Sequence, residues 1–140
     1  QRRPEADEAL AGQRVLLVED NELNREIAYE LLSESGLIVD VAENGQEAIK
    51  LLGIRPENYY ELIFMDIQMP VMNGYEATAN IRAGKSDYWK TIPVIAMTAN
   101  VFQEDESRAA ECGMSDYVTK PIDMNVIYSV LEKWLRGQKG

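Results

Sequence analysis

Five polar residues stand where short strand-like runs end: Glu19 and Asp20 after residues 15–18, Asp66 after 62–65, Thr98 after 94–97, and Lys120 after 116–119. If those runs lie side by side in one direction, all five side chains reach one edge of a sheet. Three carboxylates gathered there would repel one another and rise in pKa, so the arrangement calls for a cation. A hard dication answers that need. Mg2+ suits it, because it takes few carboxylates, keeps several waters and shares its remaining positions with phosphate oxygens; Mn2+ is the expected substitute. A carboxylate beside such an ion can attack phosphorus and become an acyl phosphate, provided the charge on the moving phosphoryl group is neutralised. Asp66 is the candidate nucleophile, with Lys120 and the metal as the neutralising groups. Thr98 would donate its hydroxyl to a phosphoryl oxygen, and the small Ala99 beside it leaves an approach path. Each residue alone has a duller reading: a strand-end aspartate is commonly a helix cap, and a single lysine is commonly a solvated surface group. Their joint placement carries the argument.

Composition removes most rival chemistries. The chain has no histidine, so Ser-His-Asp triads, zincin motifs and an internal histidine phosphodonor are all excluded. Any phosphohistidine in this chemistry must sit on a partner. A net charge of −10 excludes a nucleic-acid surface, which needs clustered lysines and arginines. At 140 residues and 46% hydrophobic, the chain is expected to form one globular domain with its own core. No apolar run approaches the roughly 18 residues of a membrane span and no signal-peptide pattern occurs, so no direct membrane contact is expected. The lone Cys112 cannot build a disulfide framework and is expected to be a buried, inert thiol. With no Asn-x-Ser/Thr acceptor either, a cytoplasmic setting is expected.

The elements that must deliver the five residues follow from periodicity. Residues 15–18 and 62–65 are continuous apolar runs, the signature of parallel strands buried on both faces. Residues 38–42, 94–97 and 116–119 supply three more strands. Between them Leu23, Ile27, Leu31 and Leu32 recur at helical spacing and stop at Gly36, and Asn44 with Glu47 forms an N-cap arrangement opening a second helix to Gly53. Asn73-Gly74 precedes a third helix to about residue 83, a fourth spans 104–112, and Ile127, Val130, Leu131, Trp134 and Leu135 stripe the fifth. Five strands alternating with five helices predict an α/β, doubly wound fold: one parallel sheet with helices on both faces. Ligands of such sheets bind beyond the carboxyl ends of the strands. Residues 1–12 read as a linker that begins with Gln rather than Met, 13–136 as the domain and 137–140 as a tail.

The segments VLLVEDNELNR (15–25), LIFMDIQMPVMNGYEA (62–77), PVIAMTAN (93–100) and GMSDYVTKPID (113–123) together resemble the receiver domains of two-component response regulators. The resemblance covers about residues 13–136. It implies a flavodoxin-like sheet of strand order 2-1-3-4-5 and Asp66 as phosphoacceptor. It implies that Glu19, Asp20, Asp66 and the backbone carbonyl of Gln68 bind Mg2+, and that Lys120 contacts the phosphoryl group. It also implies a cis peptide before Pro121, and a switch in which Thr98 moves toward the phosphoryl oxygen while Tyr117 swings inward, remodelling the face of the fourth helix, fifth strand and fifth helix. Asn73 stands where many receivers have Asp, and the side chain of Gln68 is expected to influence how long the phosphoryl group survives.

VEDNELNR, MTAN and DYVTKPID resemble receivers fused to histidine kinases more than those of DNA-binding regulators, and no basic output domain follows Arg136. The expectation is therefore the receiver of a hybrid sensor histidine kinase, whose parent chain is membrane-anchored in many cases. It would exchange phosphate with a histidine kinase domain and a histidine phosphotransfer protein, catalyse its own phosphorylation and dephosphorylation without being an independent turnover enzyme, and be a monomer. A stand-alone single-domain regulator is the alternative. A haloacid dehalogenase-like phosphohydrolase would need an Asp-x-Asp pair, and Gln68 occupies the second position. ANIRAGKS (79–86) satisfies a loose phosphate-loop pattern, but it closes a helix instead of opening one.

Overall fold

A strand can bury every residue only when helices cover both of its faces, and the continuous apolar runs meet that condition. The computed structural model describes residues 11–69, 72–84, 86–99, 103–120 and 122–136. In it β1 (Arg14–Val18), β3 (Leu62–Asp66) and β4 (Val94–Thr98) form the middle of a five-stranded parallel sheet. β2 (Ile38–Ala42) and β5 (Asp116–Thr119) lie at its edges, giving the order β2-β1-β3-β4-β5. β3 is buried from end to end, whereas β2 and β5 keep exposed positions. Sequence pattern and sheet order therefore agree: the most apolar strands are central.

Because a right-handed crossover reverses face when the chain reverses direction across the sheet, helices end on both sides. Leu17 and Phe64 point toward α1 (Glu22–Glu34) and α6 (Met124–Leu131), packing with Ala28, Leu32, Ile127 and Leu131. Leu16, Ile63 and Met65 point the other way, toward α2 (Gly45–Ile54), α3 (Gly74–Arg82) and α5 (Gln103–Cys112), where they meet Leu52, Ile81 and Ala109. Each such large side chain contributes about 1.5–3 kcal/mol on burial. The two apolar layers hold the sheet rigid beneath its polar edge.

The structure departs from the expected pattern in three places. A sixth helix, α4 (Asp87–Thr91), occupies the connection before Pro93; Ser86 caps it by accepting from the Trp89 N–H at 3.2 Å. Tyr88 ties this turn down, donating to the Tyr60 carbonyl at 3.0 Å and accepting from the Tyr60 N–H at 2.8 Å. In α1 Leu32 is buried and Leu31 packs on the core as expected, but the inward face continues through Ala28, while Leu23 and Ile27 are 64% and 48% exposed. The closing helix changes winding to a π-helical turn, Glu132–Arg136, with Leu135 buried and the Trp134 indole N–H donating to Asp116 at 2.9 Å. The linker except for Ala11 and Gly12, the tail 137–140 and Pro121 lie outside the described residues. Among the described residues no helix is long and apolar enough to cross a membrane.

The start of α3 fixes the loop that leaves β3. Asn73 and Glu76 form a capping box, the Asn73 side chain accepting from the Glu76 N–H at 2.9 Å and Glu76 accepting from the Asn73 N–H at 3.0 Å. The Gly74 N–H donates to Ile67 at 2.8 Å, an approach so close that a Cβ there would collide with the Asp66 carbonyl oxygen and sit 2.9 Å from Ile67 Cα. Both obstacles are backbone, so relief requires moving the end of β3. Gly74→Ala is expected to lower stability by about 1–3 kcal/mol, measured as a fall in urea midpoint; an unchanged midpoint would show that the loop yields freely.

Candidate functional site

Four of the five expected side chains converge where β1, β3 and β5 end. Glu19, just past β1, and Asp66, the last residue of β3, are 2% and 3% exposed. The Lys120 ammonium, just past β5, lies 2.9 Å from Glu19 Oε1 and 3.1 Å from Asp66 Oδ1. Parallel pairing explains the meeting, because Val18 is level with Met65 and Thr98 with Thr119, so each chain leaves the sheet at nearly the same height. Asp20 is exposed, and carboxylate oxygens of Glu19, Asp20 and Asp66 lie within 4.8 Å of one another.

Backbone groups hold the anions in place. The Glu19 N–H donates to Ala42 at 3.0 Å, and Glu19 Oε2 accepts from the Asn21 N–H at 3.1 Å. Asp66 Oδ1 accepts from the Gln68 N–H at 3.3 Å, a longer contact. Asn21 caps α1 by accepting from the Asn24 N–H at 2.9 Å, so the acidic turn runs directly into a helix N-terminus.

Electrostatics show that the set is short of positive charge. Burial pushes the Asp66 carboxyl up from its ordinary value, and neighbouring Glu19 raises it further; Lys120 opposes both, leaving it at about 7. Desolvation pulls the Lys120 ammonium down, but its contacts with Glu19 and Asp66 outweigh that and leave it raised, so it stays protonated. One ammonium thus serves two buried carboxylates, with a third nearby. An all-oxygen donor set, two members of it buried, fits a hard divalent cation, and the unbalanced charge at Asp66 is the observation that favours one.

Thr98 is brought to the same edge by β4, and its carbonyl accepts from the Lys120 N–H at 2.7 Å. It borders a cavity of about 460 Å³ together with Gln68, Asn73, Tyr75 and Arg108. The Arg108 guanidinium carbon lies 4.4 Å from the Tyr75 ring centre. Gln68 has an exposed side chain. Tyr117 stands apart from the acidic set, level with Ala96 in β5 and 39% exposed. Cys112 is half-buried rather than fully buried, and desolvation raises its thiol pKa.

Sequence reasoning gave no role to Arg25. Its Nη1 donates to the Glu19 carbonyl at 2.9 Å and the Asp20 carbonyl at 3.4 Å. The available signal was a cation in the first turn of a helix, where the dipole disfavours it.

Comparison with known proteins gives a consistent result. The family model of the response regulator receiver domain matches residues 15–132. Probable histidine kinase 5 of Oryza sativa subsp. japonica is 35% identical over 91% of this chain and 12% of its own length. Hybrid signal transduction histidine kinase I of Dictyostelium discoideum is 37% identical over 85% of this chain and 7% of its own length. The chain therefore spans only a small part of these relatives. Among solved structures, the receiver domain of a sensor histidine kinase from Pseudomonas aeruginosa, with a magnesium ion coordinated in its active site cleft, superposes with a TM-score of 0.80. That pair is 35% identical, covering 90% of this chain and 99% of the other. The co-crystal structure of the Saccharomyces cerevisiae histidine phosphotransfer protein Ypd1 with the receiver domain of Ssk1 also matches at a TM-score of 0.80. Its identity is 32%, over 92% of each chain.

Because the Asp66 pKa lies above its ordinary value, the native chain binds more protons than the unfolded one from about pH 4 to about pH 7. Stability contributed by protonated Asp66 is present at the acid end and lost as pH rises through that window. Without divalent cations, the wild-type denaturation midpoint is expected to fall between about pH 4 and about pH 7 relative to Asp66→Asn, whose amide does not titrate. Parallel pH curves for the two chains would contradict this account of the charge.

Proposed function

The chain belongs to the response regulator receiver domain family, and from that premise we propose that Asp66 is the phosphoacceptor of a two-component phosphorelay. The observation that carries the reading is one ammonium, Lys120, shared between two buried carboxylates beside a third. Lys120 already touches Asp66, so it neutralises negative charge where a phosphoryl group would arrive. Glu19, Asp20 and Asp66, with the Gln68 backbone carbonyl, would hold Mg2+, for which Mn2+ can substitute. When bound, the ion supplies positive charge to the phosphoryl oxygens and favours ionised Asp66.

In the proposed transfer a carboxylate oxygen of Asp66 forms a bond to phosphorus as the bond from phosphorus to a partner's imidazole nitrogen breaks. Asp66 must be ionised to act as the nucleophile, and the raised pKa makes that depend on nearby cations. Thr98, at the end of β4, would donate its hydroxyl to a phosphoryl oxygen. Tyr117, 39% exposed on β5, would then turn inward and alter the face formed by α5, β5 and α6.

The partners in this reading are a histidine kinase domain and a histidine phosphotransfer protein, and the setting is cytoplasmic. The relatives named for histidine kinases and the co-crystallised phosphotransfer protein support it. The parent protein in this reading is a hybrid sensor histidine kinase. Incubation with acetyl phosphate and Mg2+ is expected to add one phosphoryl mass to the wild-type chain and none to Asp66→Asn. Chelating the metal should abolish the gain, and intact-protein mass spectrometry checks both. Equal labelling of the two chains would overturn Asp66 as acceptor.

A further inference from the structure

The three carboxylates are not held alike. Glu19 and Asp66 are fixed directly by Lys120, whereas the exposed Asp20 carboxylate has no ion-pair partner among the described residues. The backbone sets the direction from which the Asp20 side chain leaves the chain. That backbone is gripped by Arg25, whose Nη1 donates to the carbonyls of Glu19 and Asp20 at 2.9 and 3.4 Å. The other terminal nitrogen, Nη2, faces Glu43 at 4.0 Å, just past the end of the neighbouring strand β2, and the Arg25 side chain is only 17% exposed. The guanidinium thus spans two consecutive carbonyls, with a longer contact to the exposed Glu43 on its other side.

Simple electrostatics oppose a cation at this position. It lies in the first turn of α1, against the helix dipole, and it would repel a dication held by the adjacent acidic set. Its hydrogen bonds act in the opposite direction, tying down the carbonyls of the loop that carries Glu19 and Asp20. We propose that Arg25 is a positioning residue for the cation site, holding the backbone of Glu19 and Asp20 so that the Asp20 carboxylate is presented to the metal. This rests on reading Glu19, Asp20 and Asp66 as that site.

The two electrostatic roles of Arg25 have opposite signs, which makes the test decisive. Mg2+ affinity of the full 140-residue chain is measured by isothermal titration calorimetry, with amide chemical shifts of residues 19–21 followed by NMR. Arg25→Ala is expected to weaken binding by about 10-fold to 100-fold, as loss of an outer-shell partner does. Arg25→Lys keeps the charge but not the planar fork, and is expected to fall between the two. Binding by Arg25→Ala as tight as wild type, or tighter, would mean that no positioning effect outweighs the repulsion and would overturn the inference. Should Arg25→Ala fail to fold, Arg25→Lys decides: weaker binding at an unchanged melting temperature supports positioning, and wild-type affinity overturns it. A wild-type chain that binds no Mg2+, with Asp20→Asn behaving identically, would instead overturn the cation site itself.

Discussion

Charge crowding at the carboxyl edge of the sheet is the constraint on which the rest of the site depends. Two carboxylates, Glu19 and Asp66, are buried within reach of the same ammonium, and a third stands beside them. A buried charge is tolerated only when paired and hydrogen-bonded, and here pairing is incomplete. Burial first, and the neighbouring Glu19 second, raise the Asp66 pKa by more than Lys120 offsets. Anything that brings positive charge to the edge relieves it, and any negative group that arrives must bring or find a cation. The placement of ordinary side chains therefore concentrates negative charge at that edge.

That placement is possible because the sheet beneath is rigid. Phe64 and Met65 on β3, Leu17 on β1 and Met97 on β4 are almost wholly buried, so strands can slide only by opening a close-packed core. Register between Val18 and Met65 then translates into distance between Glu19 and Asp66. The capping box at Asn73 and the close approach of Gly74 extend the same rigidity into the loop after β3. The periphery differs: Leu23 and Ile27 on α1 and Tyr117 on β5 are exposed next to a fixed centre.

The central strands were legible in the sequence because burial on both faces leaves an uninterrupted apolar run, as at residues 15–18 and 62–65. Strand order and the gathering of Glu19, Asp66 and Lys120 also agree with the reading, since parallel topology sends every strand end to one edge. Helix detail was less legible. α4 has only five residues, too few for a periodic signal, and Ser86 as its cap was the single mark available. In α1 the large apolar residues Leu23 and Ile27 outweigh the small Ala28 in any hydrophobicity pattern, yet Ala28 lies inward because it allows the helix close to the sheet. The contacts of Arg25 were hard to read because its partners are carbonyl oxygens, which every residue possesses, so its place in the first turn of a helix was the one signal it gave.

A second acidic group shows what a structural carboxylate looks like in the same molecule. Asp40, in the middle of β2, accepts from the Tyr60 hydroxyl at 2.6 Å and from the Arg55 guanidinium at 3.1 Å. Arg55 in turn lies over the Tyr59 ring, whose centre is also 4.5 Å from the Arg14 guanidinium carbon. There one carboxylate meets one full cation and a hydroxyl donor, so its charge is answered within the chain. At the carboxyl edge of the sheet Glu19 and Asp66 share one lysine, with Asp20 beside them. A closed local balance gives an acid no reason to recruit anything from solution, whereas an open one does. The contrast between Asp40 and Asp66 follows from counting partners at each, and it marks the edge where negative charge is left unbalanced.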